Sequence, residues 1–438
     1  MTSPPTKSRA VVWFTRDLRL HDNPTLEAAS RSADEVIPLF VLDPRLRHSG
    51  ANRHRYLHGC LHDLRANLRS LGGDLIVRHG EPVSEVLRLA RAAHAEHVVV
   101  SSDVSAYAQD RWRKLSAACQ GARVSLIGVD SHYVVPAGQI TPAGSDHYKV
   151  FTPYWRAWAE QPWRSPARLP RRINVPSDVD PGNLPEVPAA DGRGAPAGET
   201  AARRRMDHWL RRGVAGYGDR HDDLAGDATS RLSADLHFGT LSALELAGRA
   251  RQAEGGETFL RQLCWRDFHA QVTAAFPEMP YRDYRPRQQA WRDDPGALAA
   301  WKAGMTGYPI IDAGMRQLAA EGFMHNRARL LTASFLTKNL GIHWTQGARH
   351  FFDLLTDGDV SNNSGNWQWV AGTGNDTRPN RRFNPLRQAH RFDPDGSYVR
   401  RYVPELAAIE GGAVHEPWKL AHPPRYAAPL VDVPDARN

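Results

Sequence analysis

A stretch of thirteen residues carries two carboxylates, several amides and two indoles, groups that could together do chemistry. Asp357 and Asp359 open the stretch, and Trp367 and Trp369 close it. Acids and amides are costly to bury beside aromatic rings unless they bond each other or a ligand. A polar, aromatic-lined cavity that holds a flat heterocycle would meet this requirement. A surface turn followed by a helix with two core tryptophans accounts for the same composition equally well.

A second stretch, Thr229-Ser-Arg-Leu-Ser233, has hydroxyl groups at three of its five positions. Hydroxyls and backbone N–H groups at the start of a helix can hold a phosphate, although an ordinary helix cap has the same composition. The signatures of hydrolases and metalloproteases, G-x-S-x-G and H-E-x-x-H, are absent, and no pair of histidines has a strong metal-ligand spacing. We therefore expect no metal site.

The first 130 residues alternate short apolar runs with helical patterns. Strands buried on both faces are apolar nearly throughout, so the alternation predicts a parallel-sheet, Rossmann-like α/β N-terminal domain over residues 1–130. The loop at 15–23 contains no glycine, and no P-loop occurs in the chain, so we expect no nucleotide binding by those devices. The predicted strands are 11–15, 36–42, 75–77, 97–101 and 124–129.

Residues 131–198 have eleven prolines, which predicts a long linker draped over the surface. Its aromatic stretch 148–155 is expected to pack against a domain. From 199 to 430 the apolar period is helical, which predicts a larger all-α domain. Ser242-Ala-Leu-Glu245 is a capping box that opens one helix. The other helical patterns are 260–276, 298–302, 310–320 and 327–340.

The 438-residue chain has a net charge of +8, and only six of its 56 basic residues are lysine. Arginine grips phosphate with a planar fork, which favours an anionic partner, although codon bias in a GC-rich genome would produce the same excess. No apolar run approaches the ~20 residues of a membrane-spanning helix. Three widely separated cysteines fit a reducing compartment. We expect a cytoplasmic, monomeric protein that does not bind membranes.

Seven motifs occur in an order and at a spacing that resemble one known family. The chain resembles the photolyase/cryptochrome flavoproteins over nearly its whole length, and it is most similar to bacterial class I cyclobutane pyrimidine dimer photolyases. Each motif alone is modest support, whereas seven in order are highly specific. The motifs are Val12-Trp-Phe-Thr-Arg-Asp-Leu-Arg-Leu-His-Asp-Asn23, Thr229-Ser-Arg-Leu-Ser233, Cys264-Trp-Arg-Asp-Phe268, Gly307-Tyr-Pro-Ile-Ile-Asp-Ala313, Met324-His-Asn-Arg327, Asp357-Gly-Asp359 and Trp367-Gln-Trp369.

The resemblance implies that the helical domain binds FAD in a folded, U-shaped conformation. Asp357 would pair with Arg329 beside the flavin ring, and Asp359 would lie near that ring. Asn363 would face the flavin N5, where an amide supplies no ready proton and so favours the anionic reduced flavin that repair requires. The residues implied to bind the cofactor are Tyr217, Thr229, Ser230, Arg231, Leu232, Ser233, Phe259, Gln262, Arg266, Asn326, Arg329, Asp357, Asp359 and Asn363.

The implied activity is light-driven repair of cyclobutane pyrimidine dimers in UV-damaged DNA by electron transfer from excited, reduced FAD. A dimer distorts the duplex, so flipping it out costs less than flipping normal bases. The flipped dimer would rest against two tryptophans, with an amide hydrogen-bonding near it. The residues implied to bind the substrate are Gln262, Trp265, Asn326, Leu330 and Trp369.

Three further tryptophans match the family's electron-transfer chain, which re-reduces oxidised flavin from the surface. They are Trp367, Trp344 and Trp291. Family members often carry an antenna on the α/β domain, either methenyltetrahydrofolate or 8-hydroxy-5-deazaflavin, and the sequence does not choose between them. The resemblance also implies a DNA-facing arginine cluster, since arginines on phosphates supply much of the salt-dependent affinity. Its candidates are Arg378, Arg381, Arg382 and Arg387.

Three positions depart from the bacterial dimer-repair pattern. Gln262 stands where that class usually has a glutamate, Leu330 stands where a methionine is common, and residues 377–384 are one residue short and lack the usual aromatic pair. Glutamine is usual in (6–4) photolyases, yet their catalytic histidine is matched here by Asn326. A (6–4) photolyase and a cryptochrome-like photoreceptor with weak or no repair therefore remain alternatives. Cryptochromes often signal through a long tail, and its absence after Trp418 favours repair.

Overall fold

The computed structural model describes residues 7–48, 50–188, 195–288, 290–376 and 381–432. Within these ranges the chain forms an α/β domain, a connecting segment and a larger helical domain. The α/β domain contains β1 (Arg9–Phe14), α1 (Pro24–Ser32), β2 (Glu35–Leu42), α2 (Ala51–Ser70), β3 (Ile76–His79), α3 (Pro82–Ala92), β4 (His97–Ser101), α4 (Ala106–Ala122) and β5 (Ser125–Val129), with a short 3-10 helix at Pro44–His48.

The strands of the described chain form one parallel sheet in the order β3-β2-β1-β4-β5. Central β1 is buried on both faces, and this explains why its sequence lacks polar alternation. The helices begin where the sequence signals predict: Asn23 caps α1 by accepting a hydrogen bond from the Leu26 N–H, and Pro82 opens α3. The predicted strands and the α/β fold class are confirmed.

Helices dominate from residue 151 onward, and among them the patterns at 260–276, 298–302 and 310–320 are confirmed as α10, α11 and α12. No helix of the described ranges is long and apolar enough to cross a membrane. The helices are α5 (Phe151–Glu160), α6 (Glu199–Arg212), α7 (Tyr217–Arg220), α8 (Ser233–Phe238), α9 (Ala243–Gln252), α10 (Gly256–Ala275), α11 (Pro295–Ala303), α12 (Pro309–Glu321), α13 (Asn326–Ser334), α14 (Trp344–Leu354), α15 (Val360–Ala371), α16 (Pro385–Phe392) and α17 (Ser397–Tyr402). Short 3-10 helices follow at Pro404–Leu406, Gly411–His415 and Pro417–Lys419.

Two local predictions in the helical domain have different outcomes. Ser242 caps α9 as predicted, because its hydroxyl accepts a hydrogen bond from the Glu245 N–H at 3.1 Å. The helix predicted over 327–340 remains an α-helix only to Ser334 and continues as a π-helix over Phe335–Asn339. Such widened turns are frequent at functional sites. The apolar period does not reveal the change, since the same residues remain buried.

The connecting segment is not a uniform surface linker. Helix α5 packs into the helical core, where the fully buried Trp158 donates its indole N–H to Asp267 at 2.9 Å. Pro153 obscured this helix in the sequence, yet proline is tolerated in a first turn. Beyond α5 the segment runs along the α/β domain, where the Asn174 carbonyl accepts from the Val36 N–H at 2.8 Å. The boundaries 1–130, 131–198 and 199–430 stay a prediction.

The glycine-free loop at 15–23 joins the two domains. Arg19 is fully buried and donates to the Gly239 carbonyl at 3.0 Å, and the Leu20 N–H donates to Glu199 at 2.7 Å. Gly239 has a φ of +65°, and a side chain there would collide with the Arg16 carbonyl. The polar residues of this loop therefore hold the helical domain against the sheet.

Candidate active site

A cavity of about 430 Å³ opens in the helical domain. The segment before α8, helices α10 and α13, and the start of α15 build most of its wall. Eighteen of the twenty predicted site residues line it. They are Tyr217, Thr229, Ser230, Arg231, Leu232, Ser233, Phe259, Gln262, Trp265, Arg266, Asn326, Arg329, Leu330, Asp357, Asp359, Asn363, Trp367 and Trp369.

Asp359 lies at the start of α15, where its carboxylate caps the helix by accepting from the Asn362 N–H at 2.8 Å. The Arg16 guanidinium, from the α/β domain, donates to its other oxygen at 2.5 Å and reaches Asp103 at 3.1 Å. Burial disfavours the charge of Asp359, but Arg16 and then Arg266 outweigh this and hold its pKa below the usual range. A fixed negative charge therefore stands in the cavity wall.

A second carboxylate, Asp357, accepts a hydrogen bond from Arg329 at 2.8 Å through Oδ2. Arg329 is itself oriented by donating from Nε to the Met324 carbonyl at 2.8 Å. The other carboxylate oxygen of Asp357, Oδ1, is buried and has no partner among the described residues. An orphaned buried acceptor in a cavity wall is a place for a ligand's N–H or O–H.

The segment 229–233 turns through Arg231, which has a φ of +51°. The Arg231 guanidinium contacts Asp227 at 2.7 Å and Glu321 at 3.0 Å, so its charge is already paired. The Thr229 hydroxyl is buried and unpartnered within the described chain. The free hydrogen-bonding capacity of this wall thus lies in the hydroxyl group, while the arginine fixes the turn.

Helix α10 supplies the wall that carries Phe259, Gln262, Trp265 and Arg266, which recur at helical spacing. The Trp265 indole stacks on Phe151 of α5, with ring centroids 3.7 Å apart. One face of this indole is therefore covered by protein, which fixes its orientation. Arg266 is pinned by donating to the His132 carbonyl at 2.7 Å and the Leu236 carbonyl at 3.2 Å.

Helix α15 contributes Asn363 and Trp367 to the cavity wall. The Asn363 Nδ2 group donates to the Ala348 carbonyl at 2.8 Å, which fixes the orientation of the amide. The buried Trp367 packs on α14 at Gly347, where a side chain would overlap both Trp367 and Leu336. Close approach of α14 and α15 thus depends on that glycine.

The mouth of the cavity differs from its interior in exposure. Gln262 and Asn326 are exposed, whereas Trp265, Leu330 and Trp369 are half-buried. The Arg381 guanidinium lies 5.3 Å from the centroid of the Trp369 ring. The predicted substrate residues therefore share one opening. In the predicted arginine cluster, three members are exposed, and Arg378 lies outside the described residues. The exposed members are Arg381, Arg382 and Arg387.

Two predicted tryptophans, Trp344 and Trp291, do not line the cavity. Trp344 is fully buried at the start of α14, and Trp291 is half-buried nearer the surface. His343 lies between them, with ring centroids 5.8 Å from Trp344 and 4.9 Å from Trp291. The order of burial, with Trp367 and Trp344 inside and Trp291 outside, runs from the cavity toward solvent.

Sequence reasoning missed polar side chains in the wall, including His269 and His237. Burial lowers the pKa of His269 to about 4, so its imidazole is neutral at physiological pH. The position of His269 could have been predicted from the sequence, since it follows Trp265 by one turn of α10. Its close contact with Gly365 of α15 was not readable, because that contact depends on the packing of two helices.

Two family models match the chain. Residues 10–172 match the model described as DNA photolyase, and residues 259–438 match the model described as the FAD binding domain of DNA photolyase. Together the two models span well over half of the chain. The second model covers most of α10 and all of α13 and α15, which build much of the cavity wall.

Individual proteins are similar over nearly their full lengths. A deoxyribodipyrimidine photo-lyase of Streptomyces griseus is 52% identical over 98% of both chains. The crystal structure of a bacterial class III photolyase from Agrobacterium tumefaciens is 31% identical, with a TM-score of 0.91 over 99% of this chain and 96% of that one. An archaeal photolyase from Sulfolobus tokodaii with two FAD molecules is 30% identical, with a TM-score of 0.86 over 97% and 96%. This agreement confirms the resemblance drawn from the motifs, and the chain belongs to the DNA photolyase family.

Proposed function

We propose that this protein repairs cyclobutane pyrimidine dimers in DNA by light-driven electron transfer from FAD. One observation carries the proposal: the residues assigned to the cofactor and those assigned to the lesion line a single cavity, with the lesion residues at its mouth. A pyrimidine dimer flipped out of the duplex would enter this mouth and meet the cofactor directly. The 52% identity to a deoxyribodipyrimidine photo-lyase supports the same reaction.

The donor and acceptor groups of the wall fit FAD. The buried Thr229 hydroxyl and the buried Asp357 Oδ1 have no partner in the described chain, and both line the cavity. The hydroxyl can donate to a phosphate, and the carboxylate can accept from the cofactor. The reduced flavin, when bound, supplies on excitation with blue light the electron that splits the cyclobutane ring.

Asn363 controls proton supply at the flavin N5. Its Nδ2 group is held by the Ala348 carbonyl, so the amide keeps one orientation. An amide is not an acid at physiological pH and cannot deliver a proton to N5. The fixed charges of Asp357 and Asp359 are each paired with an arginine, which limits the repulsion between these carboxylates and an anionic cofactor.

The mouth is suited to an uncharged base lesion with carbonyl and N–H edges. Trp265 offers one indole face, since Phe151 covers the other. Trp369 would receive the lesion on a face that Arg381 now approaches, so the arginine would move to a nearby DNA phosphate. Gln262 and Asn326 can each donate and accept hydrogen bonds at the carbonyl and N–H edges of the bases.

Trp367, Trp344 and Trp291 would carry electrons to oxidised flavin. Support comes from their placement, since Trp367 lines the cavity, Trp344 is buried behind it and Trp291 is nearer solvent. The Trp344 indole N–H donates to Asp283 at 2.7 Å, and that carboxylate stabilises a positive charge on the ring. Electrons would pass from Trp291 to Trp344 and from Trp344 to Trp367, so the positive charge would move outward from the cavity to the surface in steps.

The test uses purified protein with FAD reduced, an oligonucleotide with one cyclobutane dimer, and blue light. We expect loss of the dimer in light and none in the dark. Persistence of the dimer in a protein that retains reduced FAD would contradict the proposal and favour a cryptochrome-like photoreceptor. A matched oligonucleotide with a (6–4) photoproduct should remain unrepaired, because Asn326 is not a general acid.

We also propose an antenna chromophore on the α/β domain, either methenyltetrahydrofolate or 8-hydroxy-5-deazaflavin. Ligands of such sheets bind beyond the carboxyl ends of the strands. There the Arg111 guanidinium lies 4.6 Å from the Trp13 ring centroid and 5.4 Å from that of Tyr107, which provides aromatic and cationic groups. The Sulfolobus tokodaii photolyase, with its two FAD molecules, is described as implying a novel light-harvesting cofactor in that protein. Extraction of the bound pigments followed by mass spectrometry identifies the chromophore; recovery of FAD alone would contradict the proposal.

A further inference from the structure

Three side chains outside the cavity form a hydrogen-bonded relay of acid, base and phenol. The Tyr284 hydroxyl lies 2.6 Å from His147 Nε2, and His147 Nδ1 lies 2.6 Å from a carboxylate oxygen of Asp146. The imidazole is buried, whereas the Asp146 side chain is 75% exposed. This arrangement joins the chain before α5 to the chain after α10.

The relay specifies the tautomer of the histidine. An ionised carboxylate can only accept a hydrogen bond, so His147 Nδ1 carries the proton toward Asp146. The lone pair of Nε2 then faces the Tyr284 hydroxyl, which donates to it. Asp146 is ionised, because the hydrogen bond from His147 lowers the pKa of its carboxyl group. Tyr284 therefore has a base in place to receive its proton.

Two contacts connect this tyrosine to the proposed electron-transfer tryptophans. Its sequence neighbour Asp283 accepts the Trp344 indole N–H at 2.7 Å. Its own backbone N–H donates to the side chain of Gln368, which lies between Trp367 and Trp369 in the sequence, at 2.8 Å. The Tyr284 backbone is thus hydrogen-bonded to α15, the helix that carries Trp367. The residue before it, Asp283, is the hydrogen-bond partner of Trp344.

We infer that Tyr284 is a second terminal electron donor, which reduces oxidised Trp344 while its proton passes to His147. The inference rests on the proposed function, since photoexcited oxidised flavin must first take an electron through Trp367 and Trp344. Tyr284 gives one electron to the Trp344 radical cation, and the O–H bond breaks as an N–H bond forms at His147 Nε2. The products are neutral Trp344, a neutral tyrosyl radical and an imidazolium balanced by the Asp146 carboxylate.

The neighbouring base, His147, distinguishes Tyr284 from a tyrosine whose hydroxyl makes only a structural hydrogen bond. A phenol that has lost an electron is a very strong acid, so its oxidation is favourable only when the proton leaves at the same time. A structural link between the two loops would need only an acceptor, whereas here the acceptor is a base oriented by a carboxylate. Tyr281, three residues earlier and 77% exposed, has no such arrangement within the described chain and serves as the matched control.

The experiment is flash excitation of the full-length protein with oxidised FAD, followed by transient absorption and by electron paramagnetic resonance with ring-deuterated tyrosine. We expect a tyrosyl radical whose spectrum narrows on deuteration and whose formation slows in D₂O. The radical should disappear in Tyr284→Phe and form at least about tenfold more slowly in His147→Gln, which lacks a base. Tyr281→Phe should leave it unchanged. FAD content and melting temperature check that each variant is folded.

The possible failures are separable. Formation of tryptophanyl radicals without any tyrosyl radical in the unmodified protein would overturn this inference and leave the tryptophan chain intact. A tyrosyl radical that persists in Tyr284→Phe would also overturn it. If oxidised flavin is not photoreduced at all, both the inference and the proposed tryptophan chain fail. The measurements on the unmodified protein do not depend on whether a variant folds.

Discussion

The interior and the mouth of the cavity are built in opposite ways. In the interior, the side chains of Asp359 and Asp357 are only 9% and 6% exposed, and each is held by an arginine, Arg16 and Arg329. At the mouth, amides and indoles are exposed or half-buried, and packing rather than charge positions them. A cofactor that stays bound suits a fixed, charged site, whereas a lesion that must enter and leave suits an open, uncharged one. Substitutions in the interior should therefore have larger effects on stability and cofactor binding than substitutions at the mouth have on repair.

The largest effect is expected for Arg16→Gln. The side chains of Asp103 and Asp359 are 7% and 9% exposed, and both would lose their shared cation. Removing one partner from a buried ion pair costs about 4 kcal/mol of unfolding free energy, which urea denaturation at neutral pH measures. Arg113→Gln removes an exposed pair with Asp110 and should change stability by less than about 0.5 kcal/mol. Equal effects would contradict the importance of burial.

Lowering the pH should remove the stabilisation that Arg16 provides. Burial opposes the charge of Asp103, but Arg16 outweighs it and lowers the pKa from 3.8 to about 2. A carboxyl group with a depressed folded-state pKa contributes stability that is complete above the unfolded-state value and is lost as the pH falls to the folded-state value. The loss between pH 4 and 2 should be about 2 kcal/mol. Arg16→Gln should abolish most of this pH dependence, and an unchanged slope would contradict the assignment.

Asp357→Asn should weaken the binding of FAD. The substitution leaves Arg329 without its charged partner and replaces an acceptor-only oxygen with a group that can donate. A lost charge-assisted hydrogen bond costs about 2 kcal/mol, so affinity should fall about thirtyfold in a titration of apoprotein. Asp353→Asn, four residues earlier on an exposed part of α14, is the matched control and should bind FAD normally.

Trp291→Phe should slow the photoreduction of oxidised flavin by roughly tenfold. The residue lies outside the cavity, so repair by pre-reduced protein should be unchanged. Steady illumination followed by flavin absorbance measures the first quantity, and the dimer assay measures the second. The same change at Trp112, an exposed tryptophan of α4, should affect neither. Unchanged photoreduction would remove Trp291 from the chain.

The smallest effect is expected at the mouth, for Gln262→Glu. The side chain is exposed, and a carboxyl group there restores the residue usual in bacterial dimer photolyases. The repair yield per absorbed photon should be unchanged or rise by up to about twofold. A large loss would mean that the lesion does not contact this residue in the arrangement described.

Much of this site could be predicted from short sequence motifs. The carboxylates, amides and indoles between Asp357 and Trp369 were consistent with a cavity, and the resemblance of the motifs to one family assigned Phe259, Gln262 and Arg266 to it. The strands and the capping residues Asn23 and Ser242 were also predictable, because hydrophobic period and capping are properties of neighbouring residues.

Contacts between residues distant in the chain could not be predicted from the sequence. The loop at 15–23 looked like a failed nucleotide loop, but Arg16 crosses from the sheet to Asp359, 343 residues later. Helix α5 looked like linker, and only its packing on α10 places Phe151 against Trp265. The relay at Tyr284 likewise joins residues 137 positions apart.

The sequence by itself thus determined the family, the α/β and helical halves, and the kinds of side chain at the site. Tertiary structure alone decided which charges are paired, which face of each tryptophan is covered, and which tyrosine has a base beside it. The physical reason is range: period, capping and turn preference act over a few residues, whereas burial and ion pairing depend on how whole domains pack.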